Sequence, residues 1–104
     1  MAKQKKSDAM KFLDGLAGGP LTFGSLIETI RETDDYTLAS MSKKLGVSRA
    51  NLCDIQKGRK GVSLERAAKW ARLLGYPESQ FVALALQAEI DAAGLKYSVA
   101  LNAA

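Results

Sequence analysis

The sequence predicts an all-α domain: a five-helix bundle with an extra N-terminal helix ahead of it and a short C-terminal β-strand behind it. Three observations carry that reading. Apolar residues recur at helical spacing in successive short segments. These segments open on Ser, Thr or Pro and stop at Gly or at a polar break. Alternation with a period of two occurs in one place, near the C-terminus. With 104 residues there is room for one core. A composition of 47% hydrophobic and 25% charged residues is that of a globular chain, which excludes a wholly disordered or collagen-like one.

Residues 1–19 form a basic N-terminal tail in which Ser7-Asp8 caps a short helix to about Leu16, before the breaker Gly18-Gly19-Pro20. Thr22 caps the first core helix, whose Phe23, Leu26, Ile27 and Ile30 make a one-sided stripe ending near Thr33. After the polar break Asp34-Asp35-Tyr36, Thr37 caps a second helix with Leu38, Met41 and Leu45 inward and Lys43 and Lys44 outward. Gly46 stops it, because glycine tolerates the positive φ of a sharp turn. Ser48 caps a third helix, Arg49 to about Lys57, with Leu52 and Ile55 inward. A basic loop, Gly58-Arg59-Lys60-Gly61, leads to a fourth helix capped by Ser63. Leu64, Ala67, Ala68, Ala71 and Leu74 are expected to form its apolar face, with Trp70 and Leu73 extending that face sideways. Pro77 pre-sets the fifth helix, which runs through Phe81 to Ala93 and stops at Gly94. Leu95, Tyr97, Val99 and Leu101 then alternate with polar or small residues, the pattern of a half-buried strand.

One cysteine, Cys53, and no histidine exclude an intramolecular disulfide, a Cys/His zinc site and every catalytic scheme that needs an imidazole. No nucleophile–base pair or metal-ligand cluster is visible, so an enzyme is not expected, nor is a cofactor or metal. Cys53, beside the core-facing Leu52, reads as an inert small side chain, and Trp70 as a core filler. The longest apolar run, Phe81 to Leu86, falls far short of the ~20 residues of a membrane span. Asp14 interrupts the apolar residues behind the basic start, so no signal peptide is read and the expected compartment is the cytoplasm.

The net charge of +4 matters less than its distribution. Residues 21–36 set Arg31 against Glu28, Glu32, Asp34 and Asp35, whereas residues 37–62 set Lys43, Lys44, Arg49, Lys57, Arg59 and Lys60 against Asp54 alone. A central basic block between acidic stretches is the footprint expected for a polyanion held on one face.

The stretch Thr37 to Leu74 resembles the Cro and phage-repressor type helix-turn-helix family. The resemblance rests on Leu45-Gly46-Val47-Ser48-Arg49 at the turn, then Leu52, Ile55, Gly58 and Ser63-Leu64, and it extends over residues 22–81. It implies a lambda-repressor-like bundle in which the helix Arg49 to Lys57 enters the major groove of double-stranded DNA while the helix before it crosses the backbone. Spacing agrees independently, since Val47, Leu52 and Ile55 face inward and Arg49, Ala50, Asn51, Asp54 and Lys57 face out. By position in the family motif, Arg49, Ala50 and Asp54 match base-reading sites, while Asn51 and Lys57 match sites that touch sugar-phosphate or neighbouring bases; of these two, Asn51 is expected to read a base. The Arg49 guanidinium can donate two bonds to guanine O6 and N7. Asp54 can only accept, from cytosine N4 for example, or else orient an arginine. Lys43, Lys44, Ser48, Lys57, Arg59 and Lys60 suit phosphate contacts, which add affinity without sequence information. The chain departs from the family pattern at Leu38, where a phosphate-clamping glutamine is usual and Thr37 is the neighbouring candidate. It also departs at Ser42 for alanine, Gln56 for glutamate and Val62 for proline.

The function expected from these residues is a sequence-specific regulator, a repressor, acting as a homodimer. The alternative is an antitoxin whose residues 77–104 hold a partner toxin while the DNA module autoregulates. In either case residues 20–76 form the DNA-binding core and residues 77–104 the association segment. The fifth helix carries two apolar stripes. Phe81, Leu84, Ala85, Ala88 and Ala92 are assigned to the chain's own core, and Val82, Leu86, Ile90 and Ala93 to a second subunit. Tyr97 and Val99 of the expected strand would pair across the same interface, because a lone strand leaves its backbone groups unsatisfied. The competing cover for the Val82 stripe is the N-terminal helix around Met10 and Leu13.

Overall fold

The computed structural model describes residues 21–102, and the regular secondary structure among them is helical. Five helices follow in order: α1 Phe23–Thr33, α2 Leu38–Leu45, α3 Arg49–Gln56, α4 Leu64–Leu74 and α5 Glu78–Ala92. The basic tail and its expected helix from Ser7 to Leu16 lie outside the described residues. Four helices start as their capping residues require. The hydroxyls of Thr22, Thr37, Ser48 and Ser63 each accept the backbone N–H three residues on, satisfying a donor that the first turn leaves open. At Thr22 and Thr37 the bond is reciprocated: the Ser25 and Ser40 hydroxyls accept the N–H groups of Thr22 and Thr37. α5 starts behind Pro77, with no side-chain cap.

The helices enclose one core. α5 packs along α4, α1 against α3 and α5, and α2 against α3 and α4. Leu26, Ile27 and Ile30 from α1 meet Met41, Leu52, Ile55, Ala67, Leu74, Phe81 and Ala85 there. Phe23 sits between two rings, 6.3 Å from Trp70 and edge-on to Phe81 at 5.8 Å. Trp70, expected at the margin of the α4 face, is a centre of the core at 1% exposure. Leu64 and Leu73, expected to face inward or sideways, are 38% and 39% exposed. The reason is geometric. α4 packs against both α5 and α2, and the sector that those contacts bury carries Ala67, Trp70, Ala71 and Leu74.

The C-terminal β-strand expected over Leu95 to Leu101 does not form: residues 95–102 carry no regular secondary structure, and there is no strand among the described residues. A strand needs a neighbouring backbone to take its N–H and C=O groups. Here one side chain does part of that task. The Gln87 amide of α5 donates to the Tyr97 carbonyl at 2.7 Å and accepts the Val99 N–H at 2.9 Å. It thus reproduces one rung of a ladder and holds the tail along α5 as a single strap.

Candidate nucleic-acid interface

The turn between α2 and α3 is made by Gly46, whose φ of 73° is left-handed. Its N–H bonds to the Lys43 carbonyl at 3.3 Å, and the Val47 N–H bonds to the Ser42 carbonyl at 3.0 Å, closing the end of α2 before α3 begins. Ser42 fits the buried position where the family has alanine, because its hydroxyl donates to the Ala39 carbonyl at 2.9 Å. Leu52 and Ile55 fix the inner face of α3 in the core.

Two contacts to α1 complete the seating of α3, and neither was read from the sequence. Gly24 lies so close to the end of α3 that a Cβ there would strike the Ile55 carbonyl oxygen and come within 2.7 Å of that of Gln56. Arg31, half-buried, donates from Nε to Gln56 Oε1 at 3.0 Å, while the Gln56 amide donates to the Leu52 carbonyl at 3.3 Å. Gln56 thereby replaces the usual glutamate with a neutral acceptor. Farther off, Tyr76, buried beside Phe81, donates its hydroxyl to Asp34 Oδ2 at 3.1 Å and ties the turn after α1 to the start of α5. Burial, and then the neighbouring Asp34 carboxylate, push the Tyr76 phenol well above its ordinary value.

The opposite face of α3 points outward. Arg49, Ala50 and Lys57 are exposed, and Asn51, Cys53 and Asp54 are half-buried. α3 ends through Gly58, at φ 76°, whose N–H bonds to the Ile55 carbonyl at 3.1 Å. The Arg59 N–H returns to the Asp54 carbonyl at 2.8 Å. This double closure turns the basic loop back over the last turn of α3. As a result Arg59 Nη1 stands 3.5 Å from Asp54 Oδ1, and Lys60 Nζ donates to Asn51 Oδ1 at 2.7 Å. The structure therefore gathers Asn51, Asp54, Arg59 and Lys60 into one cluster beside Arg49, Ala50 and Lys57 on the same helix. Lys43 and Lys44 are exposed in the last turn of α2, where cations also complement the helix dipole. Ser48 Oγ accepts the Asn51 N–H at 3.0 Å, leaving its proton to donate. The Thr37 hydroxyl is engaged with Ser40 in its cap. The missing glutamine at Leu38 thus has no ready substitute in that side chain.

The residues expected at an association surface lie on α5 and on the strap that Gln87 holds to it. Val82, Leu86, Ile90 and Val99 are half-buried, and Tyr97 is 68% exposed beside exposed Leu95 and Leu101. Among the described residues no helix is long and apolar enough to cross a membrane.

The candidate interface thus combines a helix with Arg49 in its first turn, exposed cations on α2, on α3 and in the loop after it, and packing of α3 against α1 and α2. A family model described as helix-turn-helix matches residues 27–81, the span that contains these elements. Comparison with the curated proteins and with the solved structures finds no match.

Proposed function

Because this chain belongs to the Cro and phage-repressor type helix-turn-helix family, whose members are DNA-binding transcription regulators, we propose that it is a repressor that recognises a specific operator as a homodimer. The observation that carries the reading is the division of α3. Its inner face is locked by Leu52 and Ile55, and its outer face offers Arg49, Ala50 and Asn51 to base edges, with Asp54 among them either to accept from a base or to orient an arginine. Lys43, Lys44, Ser48, Lys57, Arg59 and Lys60 surround that face at positions suited to phosphates. Residues 20–76 supply this DNA module and residues 77–104 the association surface. The division is one of function, since Phe81 and Ala85 of α5 belong to the common core.

Dimerisation follows from size. The eight residues of α3 span about 12 Å, roughly four base pairs at about 3.4 Å each. Two copies reading half-sites ~34 Å apart, or a multiple of it, restore useful specificity. Val82, Leu86 and Ile90, with Tyr97 and Val99 of the strap, give the second copy an apolar seat. The exposed Leu95, Tyr97 and Leu101 also suit the antitoxin alternative. Sedimentation decides between them: self-association that Ile90→Glu abolishes supports the homodimer, whereas a monomer leaves the surface for a different protein.

Selection from a random duplex library at a stated salt concentration defines the operator. Arg49→Ala is then expected to cost about 1–3 kcal/mol on that site and to relax one base position. Equal weakening on every sequence would assign Arg49 to the phosphates and remove the central support for base reading by α3.

A further inference from the structure

We propose that the loop after α3 reads a base as well as the backbone, with Arg59 as the reader and Asp54 as the residue that positions it. This rests on the docking of α3 in the major groove and adds a determinant from outside that helix. Asp54 carries the one carboxylate among the six cations of residues 37–62. Placed alone against DNA, it would be repelled by the phosphates. The closure at Gly58 resolves its place. The Arg59 N–H is held to the Asp54 carbonyl at 2.8 Å, so the Arg59 backbone is fixed over the turn that carries Asp54. The side chains then meet, Arg59 Nη1 to Asp54 Oδ1 at 3.5 Å.

The pair is not a stabilising bond of consequence, because its side chains are 67% and 37% exposed and such pairs contribute little. Its consequence is orientation. A guanidinium carries five N–H donors in a fixed plane, and engaging Nη1 with the carboxylate leaves the Nε–Nη2 edge to donate elsewhere. That edge has the two parallel donors that guanine O6 and N7 accept. Lys60 and Asn51 form a matching bracket one turn earlier on α3. The ammonium holds Asn51 Oδ1 at 2.7 Å, so what the Asn51 amide still offers a base is its NH2 group, a donor.

The test is a double-mutant cycle on the selected operator and on non-specific duplex at one salt concentration, with circular dichroism confirming that each variant is folded. Arg59→Ala should lose roughly 5- to 150-fold on the operator and relax one base position. Arg59→Lys should relax the same position, since an ammonium has no fork. Asp54→Ala should relax that position too while gaining affinity for non-specific DNA, and the double variant should resemble Arg59→Ala alone. If Asp54→Ala relaxes a position that Arg59→Ala leaves intact, with additive effects, Asp54 reads the base itself and the proposal is overturned. If Arg59→Ala weakens all sequences equally, Arg59 is a phosphate contact and the proposal is again overturned. Failure of the native chain to select any sequence would instead count against operator recognition by α3, an outcome separate from these.

Discussion

Gly24→Ala is the substitution on which the seating of the recognition helix turns. An added Cβ would stand 2.7 Å from the Gln56 carbonyl oxygen and in hard contact with that of Ile55. Both obstacles are backbone, and the Ile55 carbonyl already accepts the Gly58 N–H that ends α3. No side chain can rotate away, so α1 and α3 must separate. Overpacking costs about 1–3 kcal/mol, and two backbone oxygens this close place the site at the upper end, about 2–3 kcal/mol, against which alanine in a helix gains at most about 1 kcal/mol over glycine. The expected net loss is about 1–2 kcal/mol, or roughly 4–16 °C in Tm for a domain of this size. Urea denaturation followed by circular dichroism and by the fluorescence of Trp70, the sole tryptophan, measures it. The control is Gly61→Ala, where nothing lies within 4 Å of the new Cβ and φ is ordinary. That change should be neutral or stabilising by about 0.4–1 kcal/mol. Because α3 is displaced in Gly24→Ala, operator affinity should also fall with Arg49 intact. A Gly24→Ala protein as stable as the native one would show that the close approach of α1 to α3 is no constraint, and the reasoning would be refuted.

Three further outcomes are expected. Tyr76 has a phenol raised above its unfolded value of 10.0. Its contribution is therefore complete below about pH 10 and lost as pH rises through the folded value. Tyr76→Phe should lose about 1–2 kcal/mol at neutral pH and show a shallower alkaline decline in a pH series of denaturation midpoints; an unchanged alkaline limb would contradict this. Gln56→Glu should stabilise by about 0.5–1 kcal/mol, because its bond from Arg31, already charged on the donor side, becomes an ion pair. A fall in the urea midpoint would show that the lost bond to the Leu52 carbonyl matters more. Asp35, the non-glycine residue at positive φ among those described, should yield about 1 kcal/mol of stability on replacement by Gly. Thermal unfolding tests this, and a lower Tm would mean that its side chain supports the turn.

The helix starts at Thr22, Thr37, Ser48 and Ser63, and the turn at Gly46, were legible in the sequence because each is settled within one turn of chain by a hydroxyl or by a permitted φ. The outward set on α3 was legible for the same reason, since a helix imposes its own period once Leu52 and Ile55 are inside. What folding added lies between residues far apart in sequence. Arg31 and Gln56 are 25 positions apart and Tyr76 and Asp34 are 42, and no periodicity links them. The sector of α4 that is buried, with Trp70 in and Leu64 and Leu73 out, depended on where α2 and α5 lie, which a helical wheel does not contain. The tail shows the limit most clearly. Alternation from Leu95 to Leu101 specifies an extended backbone, but a strand exists only where a second backbone lies alongside, and the space beside this segment holds the Gln87 amide of α5 instead.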